Sequence, residues 1–319
     1  MRVVVIGASG HIGSYLVPAL VDGGHDVVTV SRGQREPYRR ASVWNRVERV
    51  VADRAAEDAA GTFGKRIADL AADVVIDLIC FEPESARQLA EALRGRVQHL
   101  LHCGTAWVHG PSVQVPTSED APRRPFGDYG VKKAAIEAYL LDEARRGQLP
   151  ATILHPGHIV GPGWRPINPA GNLDLTVFAR LAHGEEVLLP NLGMETLHHV
   201  HADDVARSFL AALEHRAASI GESFHVVSPA ALTLRGYAES VAGWYGQQAS
   251  LAFAPYDRWK ETVDPDAARA TWDHIAHSPN CSVAKAAARL DWRPIHTSLD
   301  SVYEAVAWLG ARGDLPALD

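Results

Sequence analysis

The opening stretch MRVVVIGASGHIGSYLVPAL (residues 1–20) decides how the rest of the chain is read. Its run VVVIG (3–7) is β-branched throughout and ends on a glycine, the composition of a strand covered on both faces. GASGHIG follows at once, placing Gly7, Gly10 and Gly13 at a turn and in the first turn of a helix whose apolar face carries Ile12, Leu16 and Leu20. Gly7 permits the tight turn, Gly10 lets the backbone approach a pyrophosphate, and Gly13 allows the helix to press on the sheet. Ser9, His11 and Ile12 share that turn, and the helix start offers unpaired N–H groups and a positive dipole end to a phosphate. A glycine triplet between a strand and an amphipathic helix is read as a dinucleotide-binding turn.

Outward from that turn, short apolar runs alternate with helical stretches: VVTV (27–30), VERVVAD (47–53), a helical stretch near 64–71, VVIDLIC (74–80), a helix through Ala86, Leu89, Ala90 and Leu93, then HLLHCG (99–104). This order predicts an α/β fold, a Rossmann doubly wound parallel sheet with helices on both faces. After about residue 160 the texture changes to proline and glycine in GPGWRPINPAGN (161–172), without repeat or obvious linker, so a smaller C-terminal α/β lobe is expected to grow from insertions and an extension.

Composition removes several function classes. Of 319 residues, 47% are hydrophobic and 22% charged, which suits a packed globular chain. The net charge of -7, with scattered Lys and Arg, predicts no nucleic-acid and no membrane partner. Cys80, Cys103 and Cys281 lack CxxC spacing, so neither a disulfide framework nor a zinc site is indicated, and a reducing cytoplasm is expected. MRVVVI (1–6) is too short for a signal sequence or a membrane span.

The second apolar run ends VVTVSRG, where NAD-specific folds carry an acidic residue for the ribose 2'-hydroxyl. This chain holds Ser31 and Arg32 there, which would bind a 2'-phosphate rather than repel it, so NADP(H) is favoured over NAD(H). The plain alternative is that Arg32 is one solvated arginine among Arg35, Arg39 and Arg40.

Tyr129 and Lys133 stand four apart in DYGVKKAAIEAYL, on one face of a predicted helix. An ammonium near the phenol, helped by a nicotinamide cation, is expected to lower its pKa and make it a usable general base near neutral pH. Thr105, just past HLLHCG, offers a hydroxyl for the same reacting oxygen.

Together these residues resemble the extended short-chain dehydrogenase/reductase family, the NAD(P)-dependent epimerase/dehydratase group typified by UDP-galactose 4-epimerase. CGTAWVHG is similar to its SSxxVYG segment, Tyr129 and Lys133 to its YxxxK pair, TILHPGHIVGPG to its LRPxNVYGP stretch, HHVHADDVARSF to its FVHVDDVA segment and CSVAKAAARLDWRP to its C-terminal ending. The resemblance implies an enzyme with Tyr129 as acid and base, Lys133 holding the cofactor ribose and Thr105 fixing the substrate oxygen. It also implies that Asp53, with Arg54 beside it, meets the adenine, that Leu78 and Cys80 line the cofactor, and that Pro156 and His158 border the nicotinamide. A homodimer follows from it too. So does a division into a dinucleotide-binding domain at 1–165 with a returning segment at 198–228, and a substrate-binding lobe from 166–197 and 229–319.

Departures from the pattern bear on the substrate. Asn172 resembles an asparagine that contacts a nucleotide diphosphate, yet Leu197 stands where a phosphate-clamping arginine is frequent. His109, His155 and His158 replace tyrosine, arginine and asparagine, and His198, His199 and His201 crowd one segment. Either they form a metal site or they are cleft and core histidines; because HHVH on a strand alternates faces, no metal is expected. Trp107 either packs on a substrate or fills the cleft wall, Trp164 sits in the proline-rich loop, and Trp292 and Trp308 read as core of the C-terminal lobe. The stripe of Ile136, Tyr139 and Leu140 reads as a buried helix face or a dimer helix.

The expected function is hydride and proton transfer at a hydroxyl or ketone carbon of a sugar, nucleotide-linked. Two alternatives stand beside it: an NADPH-dependent carbonyl reductase of a non-sugar small molecule, and a non-catalytic dinucleotide-binding or RNA-binding relative, since DRAAED and ICFEPESARQL are similar to segments of chloroplast RNA-binding members. Trp107, His109, His158, Asn172 and Leu197 are the expected substrate contacts.

Overall fold

The computed structural model describes residues 1–39 and 41–318; Arg40, one of the arginines near Arg32, lies outside them. Seven parallel strands make the central sheet: β1 (Arg2–Ile6), β2 (Asp26–Ser31), β3 (Glu48–Val51), β4 (Val74–Asp77), β5 (His99–Cys103), β6 (Ala151–Pro156) and β11 (Ser223–Val226), in the spatial order β11-β6-β5-β4-β1-β2-β3. The β1 run is apolar at every position because the pleat divides it between two cores. Val3 and Val5 enter one cluster, and Val4 and Ile6 enter the other.

Helices α1 (Gly13–Asp22), α7 (Ala202–Glu214) and α12 (Ala284–Leu290) pack the first face through Leu16, Leu20, Val205, Phe209 and Leu290. On the opposite face lie α3 (Phe63–Ala68), α4 (Pro83–Leu93) and α5 (Gly127–Arg145), with Phe63, Ile67, Leu89, Ile136 and Leu140 buried, while short α2 (Arg54–Ala59) leads into α3. Ile136 and Leu140 therefore face the molecule's own sheet, and Tyr139 is only partly buried.

A third core gathers α6 (Thr176–Ala182), α9 (Leu234–Trp244), α11 (Pro265–His277) and α13 (Ser298–Ala311) around Phe178, Tyr237, Ile275 and Val306. Three two-stranded ribbons flank it: β7 (His158–Val160) with β10 (His199–His201), β8 (Val187–Pro190) with β13 (Leu251–Ala254), and β9 (Thr196–Leu197) with β12 (Leu232–Thr233). Short α8 (Arg216–Ser219) and α10 (Tyr256–Trp259) complete the chain.

Two sequence expectations change here. Trp308 packs on the third core, but Trp292 is buried in the first, its indole N–H donating to the Asp204 carbonyl at 3.2 Å, because α12 returns to pack beside β11. The strand predicted over VVIDLIC stops at Asp77, whose carboxylate pairs with Arg54 (2.7 Å) and accepts from the Ile79 N–H. Residues 78–80 thereby leave the sheet edge at the carboxyl ends of the strands, beside the point where strand order reverses between β1 and β4.

Candidate active site

The glycine turn has the geometry its sequence demands. Gly7 sits at φ +84°, in the left-handed region, and its N–H donates to the Val30 carbonyl at 2.9 Å. A Cβ on Gly13 would lie 2.0 Å from the Ala8 carbonyl oxygen, so α1 can approach the turn only without a side chain there. Gly13→Ala is expected to force the turn open, lowering stability by about 2 kcal/mol and weakening dinucleotide binding about tenfold; thermal unfolding and equilibrium titration check both, and unchanged binding refutes the cradle.

Two adjoining cavities open over the carboxyl ends of the strands and share Gly7, Gly10, Ile79, Phe81 and Trp164. The larger, about 880 Å³, is bordered by Ser9, Ser31, Arg32, Arg35, Asp53 and Arg54. Asp53 caps α2 through the Ala56 N–H. Arg54 is buried, held by Asp77 at 2.7 Å and Ser85 at 2.8 Å, and its Nη2 has no partner among the described residues. A bare glycine cradle at a helix start, together with an unspent buried guanidinium donor, fits a dinucleotide.

The second cavity, about 480 Å³, is bordered by His11, Ile12, Leu78, Pro156 and His158 and by the trio Thr105, Tyr129 and Lys133. The structure brings that trio together from two places in the chain. Thr105 follows β5 and starts a 3-10 turn, its Oγ1 accepting from the Trp107 N–H; Tyr129 and Lys133 ride on α5. Lys133 Nζ donates to the carbonyls of Cys80 (2.8 Å) and Cys103 (2.7 Å), and burial lowers its pKa.

The expected lowering of the tyrosine does not appear in the ligand-free chain. Burial pushes the Tyr129 phenol up to about 12, the neighbouring Cys103 adds to the rise, and the Thr105 hydrogen bond opposes it. Lys133 donates to two carbonyls and stands 6.0 Å from the phenol ring centroid.

Several predicted ligand contacts lie elsewhere. His109 is buried, with its Nε2 2.8 Å from His225 Nε2. Asn172 is buried and holds Asn168 and Thr271, leaving its neighbour Leu173 to border the cavity. Leu197 is fully buried in the third core. Cys80 is buried beneath the cavity, contributing its carbonyl rather than its thiol, which burial pushes up to about 12. Trp107 forms the wall behind Tyr129, stacked on His277 at 4.1 Å.

The crowded histidines divide as a short strand requires. His198 accepts from the Cys281 N–H, His199 borders the cavity, and His201 caps α7 by accepting from the Asp203 N–H. His201, His296 and Glu304 bring ligand atoms within 4.8 Å of one another. His201 accepts at Nδ1, and its Nε2 lies 3.3 Å from Glu304 without a hydrogen bond between them.

Sequence reasoning missed His274, which reaches the cavity from α11, its Nδ1 2.7 Å from the Gly171 carbonyl. Nothing around it in the sequence marks it. Trp164, from the GPGWRP loop, stacks on His11 at 5.3 Å across the junction of the two cavities. Among the described residues no helix is long and apolar enough to cross a membrane.

Comparison with known proteins bears on this geometry. The family model described as the NAD dependent epimerase/dehydratase family matches residues 3–226. A UDP-glucose 4-epimerase from Mycolicibacterium smegmatis is 30% identical over 80% of this chain and 86% of its own length. A 2'-dehydrokanamycin reductase from Streptomyces kanamyceticus is 28% identical over 86% of this chain and 76% of its own. The crystal structure of a UDP-glucose 4-epimerase with UDP-glucose from Thermotoga maritima superposes with a TM-score of 0.74 at 21% identity, covering 98% of this chain and 99% of that one, which shows a shared fold.

Proposed function

Because the chain belongs to the NAD dependent epimerase/dehydratase family, we propose that this enzyme interconverts a hydroxyl and a ketone at one carbon of a nucleotide-linked sugar. The meeting of Thr105, Tyr129 and Lys133 at the rim of the smaller cavity carries the reading. A nicotinamide bound there would supply and take up the hydride. Tyr129 Oη removes the proton of the substrate hydroxyl and returns it to the carbonyl oxygen. Thr105 holds that oxygen in line, and Lys133 fixes the walls on either side through Cys80 and Cys103 while meeting the cofactor ribose. The other cofactor contacts proposed are Ser9, Ser31, Arg32, Asp53, Arg54, Leu78, Pro156 and His158, all of them on the cavity borders. A homodimer in a reducing cytoplasm belongs to the same reading, which the three unpaired, buried cysteines support.

The test is incubation of the purified chain with UDP-glucose and either dinucleotide. Formation of the 4-epimer with no net change in reduced nicotinamide supports epimerisation; no turnover of any nucleotide sugar sinks it. Ser31 and Arg32 on the border of the larger cavity favour a second reading, NADPH-dependent reduction of a ketone, in which NADPH is consumed mole for mole. In both readings NADP(H) is preferred. Arg32→Ala is expected to weaken NADPH binding about tenfold, the loss of one charge-assisted contact, with NADH unaffected; equal effects on the two would remove Arg32 from the 2'-phosphate.

A further inference from the structure

His155 occupies β6 where the resembled LRPxNVYGP stretch has arginine, and it is fully buried. Its Nδ1 accepts the Thr105 backbone N–H at 2.9 Å, and its Nε2 lies 3.0 Å from Glu137 Oε1. Glu137 sits one helical turn beyond Lys133 on α5 and is clasped by Arg123, Nε to Oε2 at 3.1 Å and Nη2 to Oε1 at 2.6 Å. An acceptor on one nitrogen and a proton on the other describe a single neutral tautomer. A guanidinium has no acceptor and could not make the first bond.

A second observation points the same way. Gly104 takes the place of the first serine of SSxxVYG, and a Cβ there would lie 2.3 Å from His155 Nδ1. The ring reaches Thr105 only because residue 104 lacks a side chain.

We infer that His155 is a positioning residue, whose neutral imidazole ties the backbone of Thr105 to Glu137 on the helix that carries Tyr129 and Lys133. The inference rests on the reaction proposed above only for its effect on turnover. Other groups face this ring: Glu119 and Arg123 from the segment before α5, His102 from β5, His109 from the 3-10 turn, and His225 from β11 with ring centroids 6.3 Å apart. Burial would raise the Glu137 carboxyl, but the hydrogen bond from His155 and the Arg123 guanidinium hold it well below the carboxylate range.

Nitrogen-15 spectra of the histidine-labelled, dinucleotide-loaded wild type, assigned with His155→Asn, test the tautomer directly. An unprotonated Nδ1 and protonated Nε2 near neutral pH support the inference; a proton on Nδ1 overturns it, whether or not any variant folds. With UDP-glucose, His155→Leu is expected to lower kcat about tenfold to a hundredfold, the scale of a misplacement near 1 Å, with KM and dinucleotide Kd within about twofold. His155→Asn, which keeps an acceptor, should recover most of that loss, and His155→Arg should not. Wild-type kcat in all three, or a loss that follows thermal stability with Asn no better than Leu, overturns it. Tyr129→Phe serves as the control: retained turnover there refutes the proposed reaction, while the spectra still decide the role of His155.

Discussion

Tyr129→Phe is expected to reduce turnover by about a thousandfold, within the range for loss of a positioned acid–base group, while dinucleotide binding changes by no more than about twofold. The phenol borders the smaller cavity, so removing its oxygen opens no void in the core. Its ring contacts with Phe81 and Trp107 survive in phenylalanine. Steady-state kinetics beside a binding titration separate the two effects, and a variant keeping a tenth of wild-type turnover would count against Tyr129. The ionisation has a definite sign. With its pKa pushed up to about 12, the phenol of the ligand-free protein stays protonated at neutral pH and ionises only in strong alkali. Bound oxidised nicotinamide brings a positive charge that favours phenolate, so the ultraviolet difference titration between wild type and Tyr129→Phe should move to lower pH on loading.

Lys133→Met is expected to damage the fold and the reaction together. The ammonium is 2% exposed and bridges the carbonyls of Cys80 and Cys103, the segments that leave β4 and β5 toward the cavity. Methionine fills the space but donates nothing, leaving two buried acceptors unsatisfied, a loss of about 3 kcal/mol. Urea unfolding should show that loss with an unchanged slope, and turnover should fall at least about a hundredfold as both walls shift. Lys133→Arg should not restore either quantity, because a planar guanidinium cannot place one nitrogen between two carbonyls in the same slot. Wild-type stability in Lys133→Met would show that the two carbonyls find other donors.

The sheet was legible in the sequence because its strands are buried on both faces, and that leaves an unbroken β-branched signature such as VVVI. The glycine turn was legible for a steric reason, since Gly7 and Gly13 meet demands that no other residue meets. Residue types at motif positions carried over less well. Asn172 and Leu197 occupy familiar places in the chain, but Asn168 and the third core claim their side chains, and no motif encodes a neighbour that competes for a hydrogen bond. His109 turned inward because His225, on a strand more than a hundred residues later, supplies its partner. Trp292 was assigned to the wrong lobe because only the tertiary path of α12 brings it back to the first core. Spacing along the helix placed Lys133 near Tyr129 but could not show the Cys80 and Cys103 carbonyls that its ammonium binds.

The outermost strand of the sheet on one side, β11, is supplied by residues 223–226, after the chain has left the sheet to form α6, β8 and α7. During synthesis, β6 must therefore wait as an open edge, with Phe224 and Val226 still to come, until residue 226 has emerged. The nucleotide half consequently cannot mature on the ribosome as a finished unit ahead of its partner. A fragment ending near residue 165 is left with an unpaired, apolar strand, and its fate is aggregation rather than autonomous folding.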